Sequence, residues 1–146
     1  MRISRETPLS QIVERTKGYL PDHLGIEFLS ADPEELTARL AVSKAVMAPN
    51  DYLHAASVIA LVDTLAGIGT LLNLPDGALS FTTIELKSNF TGTVTAGGRV
   101  FGRATPAHRG RSTQVWDGLA VNEDSGKTIA LFRCTQMILW PKPGKA

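Results

Sequence analysis

Cysteine is almost missing from this chain. Cys134 is the only one, which excludes an internal disulfide framework and suits a reducing compartment. Aromatic residues are scarce at 6%, and neither sign of charge dominates, the formal net charge being +1. That balance gives no general attraction to nucleic acid or to an anionic membrane surface. The three histidines and one cysteine show no ligand spacing, so no metal site is expected. There is neither a glycine-rich phosphate loop nor a serine-nucleophile elbow. No charged segment followed by an apolar one opens the sequence, so nothing marks it for secretion and a cytoplasmic protein is expected. Internal repeats, low-complexity segments and linker-like stretches are missing too. The 146 residues are therefore expected to form a single domain, 1–146, with one real core.

One long apolar run is present. Residues 53–72, LHAASVIALVDTLAGIGTLL, read as a helix that is apolar on nearly every side, with a single carboxylate, Asp63, in its middle. A helix that is hydrophobic all round is normally buried, and an unpaired buried carboxylate is costly. Asp63 therefore needs a polar partner or a chemical task. At about 100° per residue, Ala56, Ala60, Asp63, Gly67 and Thr70 fall on one side, all small apart from the acid. Val58, Leu61, Val62, Leu65, Ile68 and Leu72 cover the rest. Such a small-residue groove lets another backbone, or a ligand, approach closely. The run is long enough to raise a membrane span, but His54, Ser57, Asp63, Thr64 and Thr70 interrupt it. A mid-span Asp costs several kcal/mol, so no membrane is expected as a partner.

Around this run the pattern is short and mostly alternating. Thr7-Pro8 is a helix start, with Leu9, Ile12 and Val13 as its apolar stripe, and 19–22 is a turn around Pro21; residues 1–22 read as an N-terminal helix and turn. Residues 23–31 read as a strand with Leu24, Ile26 and Phe28 on one face, and 35–43 alternate cleanly, so Asp32-Pro33 should join an antiparallel hairpin. A connection, 44–52, leads into the long helix, which stops at Leu74-Pro75-Asp76-Gly77. Strand-like segments follow over 78–90 (alternating through Ile84, Leu86, Ser88 and Phe90), 99–107, 111–121 and 127–140, with a hairpin loop at 122–126 and a loose tail at 141–146. Short connections favour antiparallel neighbours, so the expected class is α+β. The helix is buried all round only if the sheet curls about it, or if sheet covers one side and a second subunit the other.

That element order, with Leu53-His54-Ala55-Ala56 and Asp63 nine residues after the histidine, resembles the PaaI-like hotdog-fold acyl-CoA thioesterases of the 4-hydroxybenzoyl-CoA thioesterase superfamily. Residues 84–90 and the segment Pro106-Ala107-His108-Arg109-Gly110-Arg111-Ser112-Thr113-Gln114-Val115-Trp116 carry the resemblance further, toward the enterobactin-associated and menaquinone-pathway enzymes. It implies a hotdog fold, in which an antiparallel sheet wraps one long central helix, with the acid on that helix catalytic. In the family an Asn or Gln and then a Gly precede Leu-His-Gly-Gly. Here the two last glycines are Ala55 and Ala56, the amide position falls on Ala48 with Asn50 two residues late, and the loop Gly falls on Asp51.

Thioester hydrolysis needs a nucleophile or water, a base, and donors for the oxygen that gains charge. The resemblance implies Asp63 as nucleophile or general base, without choosing. It leaves the amide role to Asn50 if the loop is shaped differently, sets Thr83 where relatives carry a hydroxyl that orients water, and makes coenzyme A part of the substrate, with no other cofactor. The N–H groups of Ala55 and Ala56 at the helix start are unsatisfied within the helix and sit at its positive dipole end. His54 is a carbonyl donor or a cap. Nine residues is two and a half turns, so His54 and Asp63 lie on opposite sides of one helix and serve one site only if two chains build it. A homodimer with the site at its interface, and a dimer of dimers, is expected. The basic turn His108, Arg109, Gly110, Arg111 and Ser112 is a candidate for the coenzyme A phosphates, with Lys87 weaker; Phe81, Phe90 and Trp116 are candidate acyl-pocket walls. The acyl group is read as small to medium, aromatic included. The rival readings are a non-catalytic acyl-CoA or acyl-carrier binding module, and a hotdog dehydratase or isomerase.

Overall fold

The alternating segments all become strands of one sheet. A computed structural model of the chain describes residues 3–142. Residues 143–146 of the expected tail lie outside the described residues, and Pro141 and Lys142 join no helix or strand. In chain order come α1 (Leu9–Thr16), α2 (Leu20–His23), β1 (Ile26–Asp32), β2 (Glu35–Ala41), a short 3-10 turn (Lys44–Val46), α3 (Ala55–Leu72), β3 (Ser80–Phe90), β4 (Arg99–Arg109), β5 (Thr113–Asn122) and β6 (Thr128–Leu139). The sheet order is β1-β2-β4-β5-β6-β3, every neighbour antiparallel. α3 lies across one face of this sheet, and Leu61, Val62, Leu65 and Ala66 pack into a core with Leu36, Leu40, Val100, Trp116 and Phe132.

Two sequence expectations need correction. The turn around Pro21 closes as a single helical turn, α2, with Pro near its N-terminus, where a missing N–H costs nothing. The alternation expected through Ile84 fails because Ile84 is an extra residue. Thr83 pairs with Gln136 and Glu85 with Thr135, so Ile84 bulges from the ladder and is 54% exposed. Phe81, Thr83, Leu86, Ser88 and Phe90 consequently share the helix side, opposite the inward Ile138, Gln136, Cys134, Phe132 and Ala130 of β6.

Of the two ways to bury α3, the sheet supplies only one side. Ser57, Val58, Leu61, Val62, Leu65, Ala66, Gly69 and Thr70 are buried, whereas Ala56 is exposed and Ala60, Asp63, Thr64, Gly67 and Leu71 are half-buried. The small-residue side is thus the side one chain leaves open; Thr70 alone leaves it, turning its hydroxyl back to donate to Ala66 O at 2.8 Å. Close approach on the covered side depends on Gly69. A Cβ there would overlap the Trp116 ring and stand 2.9 Å from Leu36 Cδ1, below any real contact distance. α3 has the length and composition of a membrane span, but half of it is buried inside the fold.

Candidate active site

α3 begins at Ala55 because His54 closes the helix end. The imidazole Nδ1 accepts the Ala56 N–H at 3.0 Å, satisfying one of the donors a helix start leaves over. An accepting Nδ1 carries no proton, so a neutral His54 holds its proton on Nε2, away from the cap. His54 N–H donates to Val46 O at 3.1 Å, and the Ser57 hydroxyl donates to the same carbonyl at 2.9 Å, tying the connection to the helix. This changes the expectation for Ala56, whose N–H is already used. The donor left open is that of Ala55, which is exposed and has no hydrogen-bond partner among the described residues.

Two turns on, Asp63 stands on the open stripe. Its Oδ1 is buried without a hydrogen-bond partner, and burial alone pushes its carboxyl above the ordinary carboxylate value. No cation pairs with it among the described residues. Of the two explanations for a buried acid, a polar partner is thus lacking for Oδ1 among the described residues. Its charge also reaches Cys134, whose thiol burial and then Asp63 raise to about 12; the thiol stays protonated.

β3, which packs beside α3, carries the next candidates. Thr83 Oγ1 donates to Gln136 Oε1 at 2.8 Å, and the fully buried Gln136 donates through Nε2 to Cys134 Sγ at 3.3 Å. With its hydrogen so committed, the exposed Thr83 hydroxyl keeps lone pairs for water. Phe81 reaches Gly67, one turn beyond Asp63. Phe90 does not join it. Nine residues along one strand is about 30 Å, so Phe81 and Phe90 cannot line one pocket of one chain, and Phe90 stands 45% exposed at the far end. Trp116 is fully buried, its indole N–H donating to Gln114 Oε1 at 3.1 Å. It is core.

The remaining candidates are placed elsewhere. Asn50 Oδ1 accepts the Tyr52 N–H at 3.4 Å, which ties its oxygen into its own loop and leaves the Nδ2 donor uncommitted among the described residues. The next residue, Asp51, has φ 64°, the left-handed region that favours glycine, which is what the family pattern has at that place. Arg109 is already committed. Its Nη1 donates to Glu34 Oε1 at 2.6 Å and to Asn73 Oδ1 at 3.1 Å, at the C-terminal cap of α3, about 15 Å along the helix from Asp63. Arg111 lies 4.7 Å over the Trp140 ring. His108 and Ser112 are exposed on the same turn, and Gly110, half-buried, donates its N–H to Thr113 O at 2.9 Å. Lys87 faces away from the helix, on the outer side of β3.

Sequence reasoning missed Gln136, Gln114 and Glu34. A glutamine at an inward position of an alternating strand was a signal for the first two, since a buried amide must find partners. Glu34 left none, because its partner Arg109 is 75 residues away. Among the described residues no group of three His, Cys, Asp or Glu side chains is placed to hold a metal.

An antiparallel six-stranded sheet across one long helix, with an orphaned acid on the helix, defines the hotdog class, and comparison bears this out. The solved structure of a mutant of thioesterase PA1618 from Pseudomonas aeruginosa superposes with a TM-score of 0.86 at 30% identity, covering 94% of this chain and 98% of that one. PaaI from the phenylacetic acid degradation operon of Escherichia coli shares the fold, with a TM-score of 0.76 at 22% identity over 89% of this chain and 90% of its own. The 1,4-dihydroxy-2-naphthoyl-CoA hydrolase of Listeria monocytogenes is 29% identical over 116 residues, 80% of this chain and 92% of the relative. The Thioesterase superfamily profile matches residues 50–129, from the loop before α3 into β6. The chain belongs to the Thioesterase superfamily and is a thioester hydrolase.

Proposed function

We propose that this chain hydrolyses an acyl-CoA thioester to the carboxylic acid and free coenzyme A, in a site that a second copy completes. The observation that carries the reading is the buried, unpartnered Oδ1 of Asp63 on the open stripe of α3. As nucleophile, Asp63 attacks the thioester carbon and the thiolate leaves, giving an anhydride that water then opens. As general base, it takes the proton of the attacking water. In either route the carbonyl oxygen gains charge and is met by the Ala55 N–H and by His54 Nε2–H, presented at the positive end of a helix. Thr83 accepts a hydrogen bond from the water.

Two features support a second copy. His54 and Asp63 sit on opposite sides of one helix, and β3 has a free edge whose helix side leaves Thr83 and Phe90 exposed. A second chain laid against that edge covers both, and the dimer can pair again. Arg111, held flat by Trp140, is the cation best placed on the 108–112 turn for the coenzyme A phosphates, beside His108 and Ser112. Coenzyme A enters as part of the substrate, no other cofactor is invoked, and the acyl group is small to medium, aromatic ones included.

Asp63→Ala and Asp63→Asn are expected to lower thiol release by about 10²–10⁴-fold across aliphatic and aromatic acyl-CoAs. Undiminished turnover in a folded variant sinks the mechanism. Single turnover in ¹⁸O-water tests the nucleophilic route: water that opens the anhydride at the Asp63 carboxyl carbon places the label in the side chain, an outcome the general-base route does not give.

A further inference from the structure

The open stripe of α3 is bounded, on its C-terminal side, by an aromatic ring. Gly67 follows Asp63 by one turn on that stripe, and Phe81 Cζ and Cε2 lie 3.2 Å and 3.8 Å from where a Cβ on Gly67 would stand. Phe81 belongs to the helix-facing set of the edge strand and is half-buried. Its ring fills the volume that a side chain at position 67 would take, about 6 Å along the axis from Asp63. On the other side of Asp63 the stripe offers Ala60 and Ala56, flanked by the half-buried Ile59, so Phe81 is the bulky group that closes the stripe on its C-terminal side. The register holds the ring there: Phe81 pairs with Ile138, and the next inward residue, Thr83, is bonded to Gln136.

We infer that Phe81, seated in the hollow left by Gly67, sets the acyl specificity of this site. The inference rests on the thioesterase reading above. A thioester carbon within reach of Asp63 or its water, about 3–3.5 Å, sends an acyl tail along the stripe toward Gly67. That tail meets the ring after about 6 Å, on the order of four or five chain carbons. A short aliphatic group fits the gap, a flat aromatic one packs against the ring in an offset or edge-on arrangement, and a long chain must displace it. Glycine at 67 is what lets the ring lie that low.

The test compares kcat/KM from acetyl-CoA to palmitoyl-CoA, with benzoyl-CoA, in the parent chain, Phe81→Ala, Phe81→Leu and Gly67→Ala. Opening the wall with Phe81→Ala is expected to raise the palmitoyl-to-butyryl ratio at least about tenfold, with Phe81→Leu between it and the parent in case the alanine variant folds poorly. Gly67→Ala, whose methyl meets the ring, is expected to push it into the groove and shift the profile toward shorter acyl groups. The same chains are titrated by calorimetry with S-alkyl-CoA thioethers, which cannot be hydrolysed. A chain-length shift in affinity without turnover of any thioester upholds the wall and sinks the hydrolase reading alone. Unchanged length profiles of both turnover and thioether affinity in folded Phe81 and Gly67 variants overturn the inference.

Discussion

Asp63 holds opposed demands at one residue. Its Oδ1 is buried without a partner, which costs stability, and the same orphaning leaves it free to act on substrate. Replacing it with Asn is expected to raise stability at neutral pH by about 1 kcal/mol, the low end of that cost for a half-buried group, while lowering thiol release by about 10²–10⁴-fold. Burial raises the folded carboxyl above its unfolded value, so the folded chain keeps a proton that the unfolded chain releases first. The contribution of Asp63 therefore favours the fold below the unfolded carboxylate value and is lost as pH rises through the folded one. The advantage of Asp63→Asn should be largest at neutral pH and vanish in acid, which urea melts at several pH values measure. For the same reason the acid limb of kcat/KM in the parent should lie above the ordinary carboxylate range. Asp63 was legible in the sequence because an acid inside an apolar run stands out. The occupation of the Ala56 N–H was not, since a histidine before a helix reads equally as donor or cap. Nor was the commitment of Arg109, whose partners Glu34 and Asn73 come close only through the fold.

Among the elements, α3 joins two local devices that can be removed singly. His54→Ala takes away the cap and is expected to cost about 1 kcal/mol, together with a fall in kcat/KM that a purely structural cap would not produce. Thermal melting and acyl-CoA kinetics on one preparation separate the two. Gly69→Ala forces a methyl into Trp116 and Leu36, and overpacking of that kind costs about 1–3 kcal/mol; a lowered melting temperature with a native-like spectrum is the expected result. The strands were legible because their period of two is strong wherever one face is buried, and the helix because its apolar run is long. What periodicity cannot carry is an extra residue in a ladder, and the face of β3 was misread at Ile84 for that reason.

At the scale of the whole molecule, the unpartnered side of α3 and the free edge of β3 lie together. A second copy that covers them should give a native mass of twice 15.7 kDa, or a further doubling, by native mass spectrometry. Phe90→Asp puts a charge on the helix side of that edge, where Phe90 is 45% exposed. It is expected to weaken association at least tenfold and to lower activity at dilute protein while leaving the chain folded. A monomer that keeps full activity would remove the second copy from the site. This level was only partly legible: the hydrophobic coverage of the run required burial on every side, but the choice between a curling sheet and a partner depends on how far six strands reach around one helix.

The bulge at Ile84 amounts to a frameshift in the sheet's two-residue reading. An unbroken eleven-residue strand held in register by Leu86 would turn Thr82 and Ile84 toward the helix and send Phe81 and Thr83 to solvent. One additional residue resets the count, so that the two halves of β3 present one continuous face drawn from odd positions before it and even positions after it. Deleting Ile84 should leave that face unchanged and only straighten the strand. Inserting a residue elsewhere in its first half would exchange an aromatic ring and a hydroxyl for their neighbours. What lines the groove beside the acid is therefore set by strand length as much as by residue type.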